Sequence, residues 1–249
     1  TLGAFIVCLD GLTSLARRYA LRHRCEGGCA ELADLLEHVS VAPPRGFHEA
    51  LQLLWLVHLA FVSEGRYAMA LGRLDQILLP FYLADREAGH LERDGALDLL
   101  CHLWVKVEEL GDVTNITIGG MTPTGADAVN DLSILCLKAT QAVQSPRTNL
   151  SARLCDQTST AFHEACFDCL RTGVGFPALF NDEILIPGLI ANGIPAPVAR
   201  DYCLVGCIET HLAGRQQAWG DGVPGFAGES TMQCLERALH QLHESDDPP

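Results

Sequence analysis

An α/β fold with a helix-rich first half is what this sequence predicts, and three observations carry the prediction. Apolar residues recur at helical spacing through most of residues 5–110. Beyond them, short β-branched runs alternate with helical stretches, the pattern of an α/β barrel or layered sheet. At 249 residues with 48% hydrophobic content, the chain can bury one large core or two small ones.

Taken in order, the spacing predicts helices over 5–21 and 32–39, the second stopped by Pro43-Pro44. Residues 48–62 form a third helix, apolar on most sides and therefore interior. Two more follow over 72–88 and 94–110, with Asp94 placed as N-cap of the latter. In VTNITIGGMTPTG (113–125), β-branched residues precede Gly-Gly and a Pro/Gly turn, a strand ending in a loop. Residues 127–143 read as helix, and TNLSARL (148–154) alternates as a strand. Helix over 161–172, strand over 176–182, helix from Glu183 and strand over 201–205 complete the series, with Cys207 just past the last strand.

Composition narrows the function. A formal net charge of −14 disfavours nucleic acid or an anionic membrane as partner, since both need a basic face. The best apolar run, 51–62, is broken by His58 and too short to span a bilayer. The opening residues lack a basic leader and Asp10 interrupts their apolar run, so no signal peptide is expected. Eleven cysteines are an odd number in a large chain, which points to reduced thiols in a cytoplasmic setting. Cys8, Cys101, Cys136 and Cys155 lie in apolar contexts where cysteine acts as a small buried hydrophobe.

Residues 201–222, DYCLVGCIETHLAGRQQAWGDG, hold the most chemistry. Zinc would need matched knuckles on tight turns. CEGGC (25–29), CFDC (166–169) and CLVGC (203–207) have unmatched spacings, and Cys166 and Cys169 fall in a helical pattern. ITIGGMTPTG contains neither phosphate-cradling glycine motif. A Cys–His hydrolase would pair Cys207 with His211, His163, His58 or His48, a choice that spacing leaves open. If the chain stays extended to Glu209, Cys207 and Glu209 point to one side, as i and i+2 must. Sulfur could then take hydrogen from carbon while a desolvated carboxylate takes a proton from oxygen. On spacing alone, a partly buried loop cysteine beside a solvated glutamate is the commoner reading.

The stretches PPRGFHEALQLLWLVHL (43–59), GRLDQILLPFY (72–82), NITIGGMTPTGADAVNDLS (115–133), TNLSARL (148–154), RTGVGFPALFNDEILIP (171–187) and ARDYCLVGCIE (199–209) add a second line of reasoning. Together, and in that order, they resemble the glycyl radical enzymes, the pyruvate formate-lyase-like superfamily. The resemblance implies a ten-stranded α/β barrel with the active site inside. It implies a transient thiyl radical on Cys207, with Glu209 as the neighbouring base and Asp221 as a polar substrate-binding residue. It also implies no bound organic cofactor. The radical would be stored on a C-terminal glycine and installed by an S-adenosylmethionine-dependent iron–sulfur activating enzyme. The implied substrate is a small molecule, the implied assembly a homodimer, and the implied setting anaerobic.

Subfamily strings differ. Gly206 before Cys207 argues against acyl transfer to coenzyme A, where two adjacent cysteines are expected. Thr210 after Glu209 is similar to arylacetate decarboxylases, whereas many dehydratases carry proline there. SEGRYA (63–68) puts Ala68 where several diol dehydratases have serine. No RVxG-type glycine loop occurs in these residues, so residues 1–249 are expected to be the central part of the barrel domain, without the C-terminal glycyl radical domain. The expected function is therefore dehydration or C–X lysis of a small oxygenated substrate. Arylacetate decarboxylation and a non-catalytic subunit served by a separate glycyl-radical chain are the alternatives.

Overall fold

The computed structural model describes residues 2–215. The first half is helical: α1 (Leu2–Cys25), α2 (Ala30–Val39) and α3 (Phe47–Ser63) precede strand β1 (Ala70–Arg73). Then come α4 (Leu74–Ile77), α5 (Leu79–Glu87), α6 (Arg93–Leu110), β2 (Thr114–Gly119), α7 (Asp131–Val143), β3 (Thr148–Leu154), α8 (Thr160–Arg171), β4 (Ala178–Asn181), α9 (Asp182–Ala191) and α10 (Ala196–Ala199). A short hairpin, β5 (Cys203–Val205) and β6 (Glu209–His211), ends the described chain.

Four strands form one sheet in the order β1-β2-β3-β4, every pairing parallel. Parallel neighbours need crossovers, and helices supply them. Thr114 to Gly119 pair in unbroken register with Thr148 to Arg153. One face of β2 and β3 is apolar: Ile116, Ile118, Leu150 and Ala152 are buried against Trp104, Leu132, Leu135 and Cys136 of α6 and α7. The other face is polar yet equally buried, with Asn115, Thr117, Asn149, Ser151 and Arg153. The alternation that marked TNLSARL as a strand thus separates a packed outer face from a hydrogen-bonded inner one.

Local signals explain several boundaries. Asn130 caps α7 in a reciprocal capping box with Ser133, and Ser159 caps α8. Gly111, at φ +79°, closes α6 in the left-handed conformation.

Other expectations are corrected. The helix expected over 72–88 is interrupted: Gly72 takes φ +72°, and Ala70–Arg73 pair with β2 instead. Sheet pairing there outweighs helical periodicity. Asp94 lies in the first turn of α6 and Glu92 is the cap. The helix expected from 127 begins at Asp131. Cys8 is exposed on α1 and Cys101 is half-buried, whereas Cys136 and Cys155 are buried as expected. Helix α3 buries Phe47, Ala50, Leu51 and Leu56 but leaves Phe61 exposed, so it is interior on one side only. The described residues form a four-stranded parallel sheet and a separate two-stranded hairpin.

Asp131 at the start of α7 binds Arg93, whose Nη2 and Nε donate to Oδ1 at 2.8 and 3.0 Å, and also accepts from Tyr82. Burial pushes the Asp131 carboxyl up, but the hydrogen bonds from Arg93 and Tyr82 outweigh it and hold it below the usual carboxylate range. Burial and Asp131 push the Tyr82 hydroxyl up to about 12. A depressed carboxylate contributes stability that is present above its unfolded pKa of about 4 and is lost as pH falls through its lower folded value. Urea unfolding of wild type and Arg93→Met should therefore differ at pH 7, and the difference should shrink as pH falls through that window.

Candidate functional site

The chain does not stay extended from Val205 to Glu209. It turns over Gly206–Ile208 and returns antiparallel, with Val205 opposite Glu209 and Cys203 opposite His211. Cys207 therefore stands at the tip of a hairpin, exposed, with Glu209 at the foot of the returning strand. The two are still brought together, by a different route. Glu209 Oε2 accepts from the backbone N–H of Cys207 at 3.0 Å and of Ile208 at 3.1 Å. Among the described residues, those bonds leave Oε1 without a donor. Gly206 makes the turn possible, since it takes φ +58° and a Cβ there would lie 2.7 Å from Glu209 Oε2. Asp221 lies outside the described residues.

The hairpin rests on the polar inner face of the sheet. Leu204 N–H donates to Thr117 Oγ1 at 2.9 Å, and Gly206 N–H donates to the Ala68 carbonyl at 3.2 Å. Its approach strand is clasped by two buried arginines. Arg153 of β3 places Nε and Nη2 on the two carboxylate oxygens of Asp182 at 2.9 and 2.8 Å, a pair in which both side chains are 0% exposed. Its remaining donors reach the carbonyls of Tyr202 at 2.7 Å and Arg200 at 2.9 Å. Tyr202 completes the enclosure: its hydroxyl donates to Asp182 Oδ1 at 2.7 Å, and its ring lies 3.8 Å from the Arg153 guanidinium carbon. Arg73 of β1 binds Asp201 Oδ1 and the carbonyls of Gly119 and Met121, each at 2.9 Å. Burial and the nearby Arg153 both lower the Arg73 pKa.

These ionic residues were not singled out from the sequence, though a signal was present. In TNLSARL and FPALFND, an arginine and an aspartate fall at strand positions otherwise suited to burial. Gly120 belongs to the same unit, because a Cβ there would meet Arg153 Nε at 2.6 Å. A Cβ on Gly119 would likewise meet the Arg153 carbonyl at 2.8 Å, and the two approaches together account for the Gly-Gly of ITIGGM.

The thiols divide clearly. Burial raises the pKa of Cys136, pushes Cys166 up to about 12, and pushes Cys169 and Cys203 up to about 11. Cys203 Sγ lies 3.6 Å from the His211 carbonyl as a hydrogen-bonded strand residue. Beside it, a groove of about 250 Å³ runs between β1 and the hairpin, lined by Met69, Gly72, Ile77, Val205 and His211. His211 is the register partner of Cys203, His58 is buried against Trp55, and His163 bonds the Ser159 carbonyl. None of these arrangements forms a Cys207–His pair. Among the described residues no group of three or more His, Cys, Asp or Glu converges to hold a metal. No described helix is long and apolar enough to cross a membrane.

Solved structures share this fold, a glycyl radical enzyme among them. One from Archaeoglobus fulgidus superposes with a TM-score of 0.76 at 27% identity, over 82% of this chain and 30% of that one. A structure concerned with 1,2-propanediol dehydration in Roseburia inulinivorans gives 0.80 at 30% identity, over 86% and 30%. The chain belongs to the pyruvate formate lyase-like family, whose model matches residues 1–243. Within it the chain falls in the dehydratase/lyase branch of the glycyl radical enzymes. It is 34% identical to a probable dehydratase of Escherichia coli, YbiW, over 95% of its own length and 32% of that protein. The chain thus spans about a third of the relatives it matches.

Because Arg153 and Asp182 are both fully buried, removing one leaves the other's charge uncompensated. Arg153→Met should cost about 3–5 kcal/mol, measured by urea unfolding.

Proposed function

We propose that the protein carrying this chain is a glycyl radical lyase that dehydrates, or breaks a related C–X bond in, a small oxygenated substrate. Residues 1–249 would be the central part of its barrel domain, with the glycyl radical domain supplied from outside these residues. The single observation that supports the chemistry is the hairpin tip, where an exposed thiol lies beside a carboxylate whose Oε1 has no donor among the described residues. An iron–sulfur activating enzyme that uses S-adenosylmethionine would install the glycyl radical, which supplies the unpaired electron. Cys207 fits such a supply, since its thiol is open to approach while Cys136, Cys155, Cys166, Cys169 and Cys203 are enclosed.

The proposed steps use the chain's own residues. The Cys207 sulfur, as a thiyl, takes a hydrogen atom from the substrate carbon that bears a hydroxyl, forming S–H and a carbon radical. Glu209 takes the proton from that hydroxyl through Oε1. The neighbouring C–X bond then breaks, and X departs with the electron pair. Asp221 would hold the departing group. Hydrogen returns from Cys207 to the product carbon, and sulfur ends as it began.

Two substitutions test this in the activated, intact enzyme. Cys207→Ser should abolish product formation while the melting temperature stays unchanged, and retained turnover would sink the assignment. Glu209→Gln should lower kcat by about 10²–10⁴-fold with the glycyl radical signal intact by electron paramagnetic resonance. A variant with wild-type kcat would remove Glu209 from the mechanism.

A further inference from the structure

The residue before the thiol is held more firmly than the thiol itself. Gly206 is buried while Cys207, Ile208 and Glu209 are exposed. Its N–H is taken by the Ala68 carbonyl at 3.2 Å. Its carbonyl accepts from two side-chain amides, Asn115 Nδ2 and Asn149 Nδ2, both at 3.3 Å. Across the same peptide bond, Cys207 N–H donates to Glu209 Oε2 at 3.0 Å. One peptide plane is therefore gripped at its oxygen by two amides and at its hydrogen by the carboxylate.

The amides are placed for this. Asn115 and Asn149 are direct register partners on β2 and β3, so they stand at one height on the inner face. A carbonyl oxygen has two lone pairs, and two donors use both. Asparagine is a poor strand former, and each buried amide must be desolvated. Both costs are borne at the register position that faces the Gly206 oxygen. Donors on a carbonyl also polarise its peptide and strengthen the N–H on the far side, here the one that holds Glu209.

Ala68 anchors the opposite flank. It sits at φ +50°, a left-handed conformation that alanine adopts at a cost, and Asp112 Oδ2 holds its N–H at 2.7 Å. That geometry turns the Ala68 carbonyl onto Gly206.

We infer that Asn115 and Asn149 are positioning residues for Cys207 and Glu209, acting through the Gly206–Cys207 peptide. A flip of this peptide would exchange its oxygen and hydrogen and carry the Cys207 N–H away from Glu209. The two amides block that flip and keep thiol and carboxylate in one mutual orientation. What the thiol is used for rests on the radical reading; the clamp does not.

The test is amide hydrogen exchange in the intact protein, combined with the rate of Cys207 alkylation by iodoacetamide, read by mass spectrometry against exposed Cys25 and Cys29. In wild type the amides of Gly206, Cys207 and Ile208 should exchange more slowly than the free-chain rate. Asn149→Leu removes an amide that bonds only Gly206 among the described residues. It should raise exchange over 206–208 by about fivefold or more, the effect of one lost hydrogen bond. Cys207 alkylation should change by a similar factor relative to Cys25, with β2 and β3 unaffected. Asn149→Ser serves should the leucine variant fail to fold. Wild-type amides exchanging at the free-chain rate, or variants that leave both readouts unchanged, would overturn the inference. Turnover retained in Cys207→Ser would overturn the radical reading and leave the clamp standing.

Discussion

The buried pair of Arg153 and Asp182 is the contact on which the rest of the site depends. Its two charges lie wholly out of water, which is tolerable only because the surrounding bonds are satisfied. Those bonds are what build the site. Arg153 spends its spare donors on the Arg200 and Tyr202 carbonyls, and Asp182 spends its spare lone pairs on Tyr202 and on the Met121 N–H. The ion pair thereby ties β3, the start of α9, the loop after β2 and the strand leading to Cys207 into one unit. Arg73 repeats the device from β1, reaching Asp201 and the same loop after β2.

A parallel sheet is ordinarily buried on both faces by apolar residues. This one departs from that rule on its inner face, where Asn115, Thr117, Asn149, Ser151 and Arg153 replace aliphatic side chains. Polar groups so placed need partners, and the hairpin supplies many of them. Sheet and hairpin are thus mutually dependent: the hairpin satisfies the inner face, and the inner face gives the hairpin its position. The small core of Ile186, Leu189, Tyr202, Leu204 and Leu212 closes the hairpin's other side.

Much of this was legible in the sequence. Strands β2 and β3 announced themselves by β-branched residues and alternation, and helices α2, α6 and α8 by their periodicity. Strand β1 was hidden, because GRLDQILLP has helical spacing and its pairing partner lies about forty residues away, at Asn115 and Thr117. Local propensity carries no information about such a partner. Cys207 and Glu209 were singled out by their spacing and by the resemblance of ARDYCLVGCIE, but the backbone between them was misjudged. Extended backbone predicts a shared face, whereas Gly206 creates a turn that no i, i+2 rule describes. Arg73, Arg153, Asp182, Asn115 and Asn149 were missed as a group because their meaning lies in convergence from three strands and the start of α9. Polar residues at the inward positions of otherwise apolar strands were the available clue.

The β5–β6 hairpin takes little of its support from the β-ladder. Apart from its own rungs, it is tied down by side chains of the sheet and by the Ala68 carbonyl, all meeting residues 201–206. Positions 207, 208 and 210 carry none of that load from the sheet. A scaffold arranged in this way separates inheritance from novelty. Residues beneath the hairpin are bound to one another and resist change, while those at the tip can be exchanged singly without refolding the sheet.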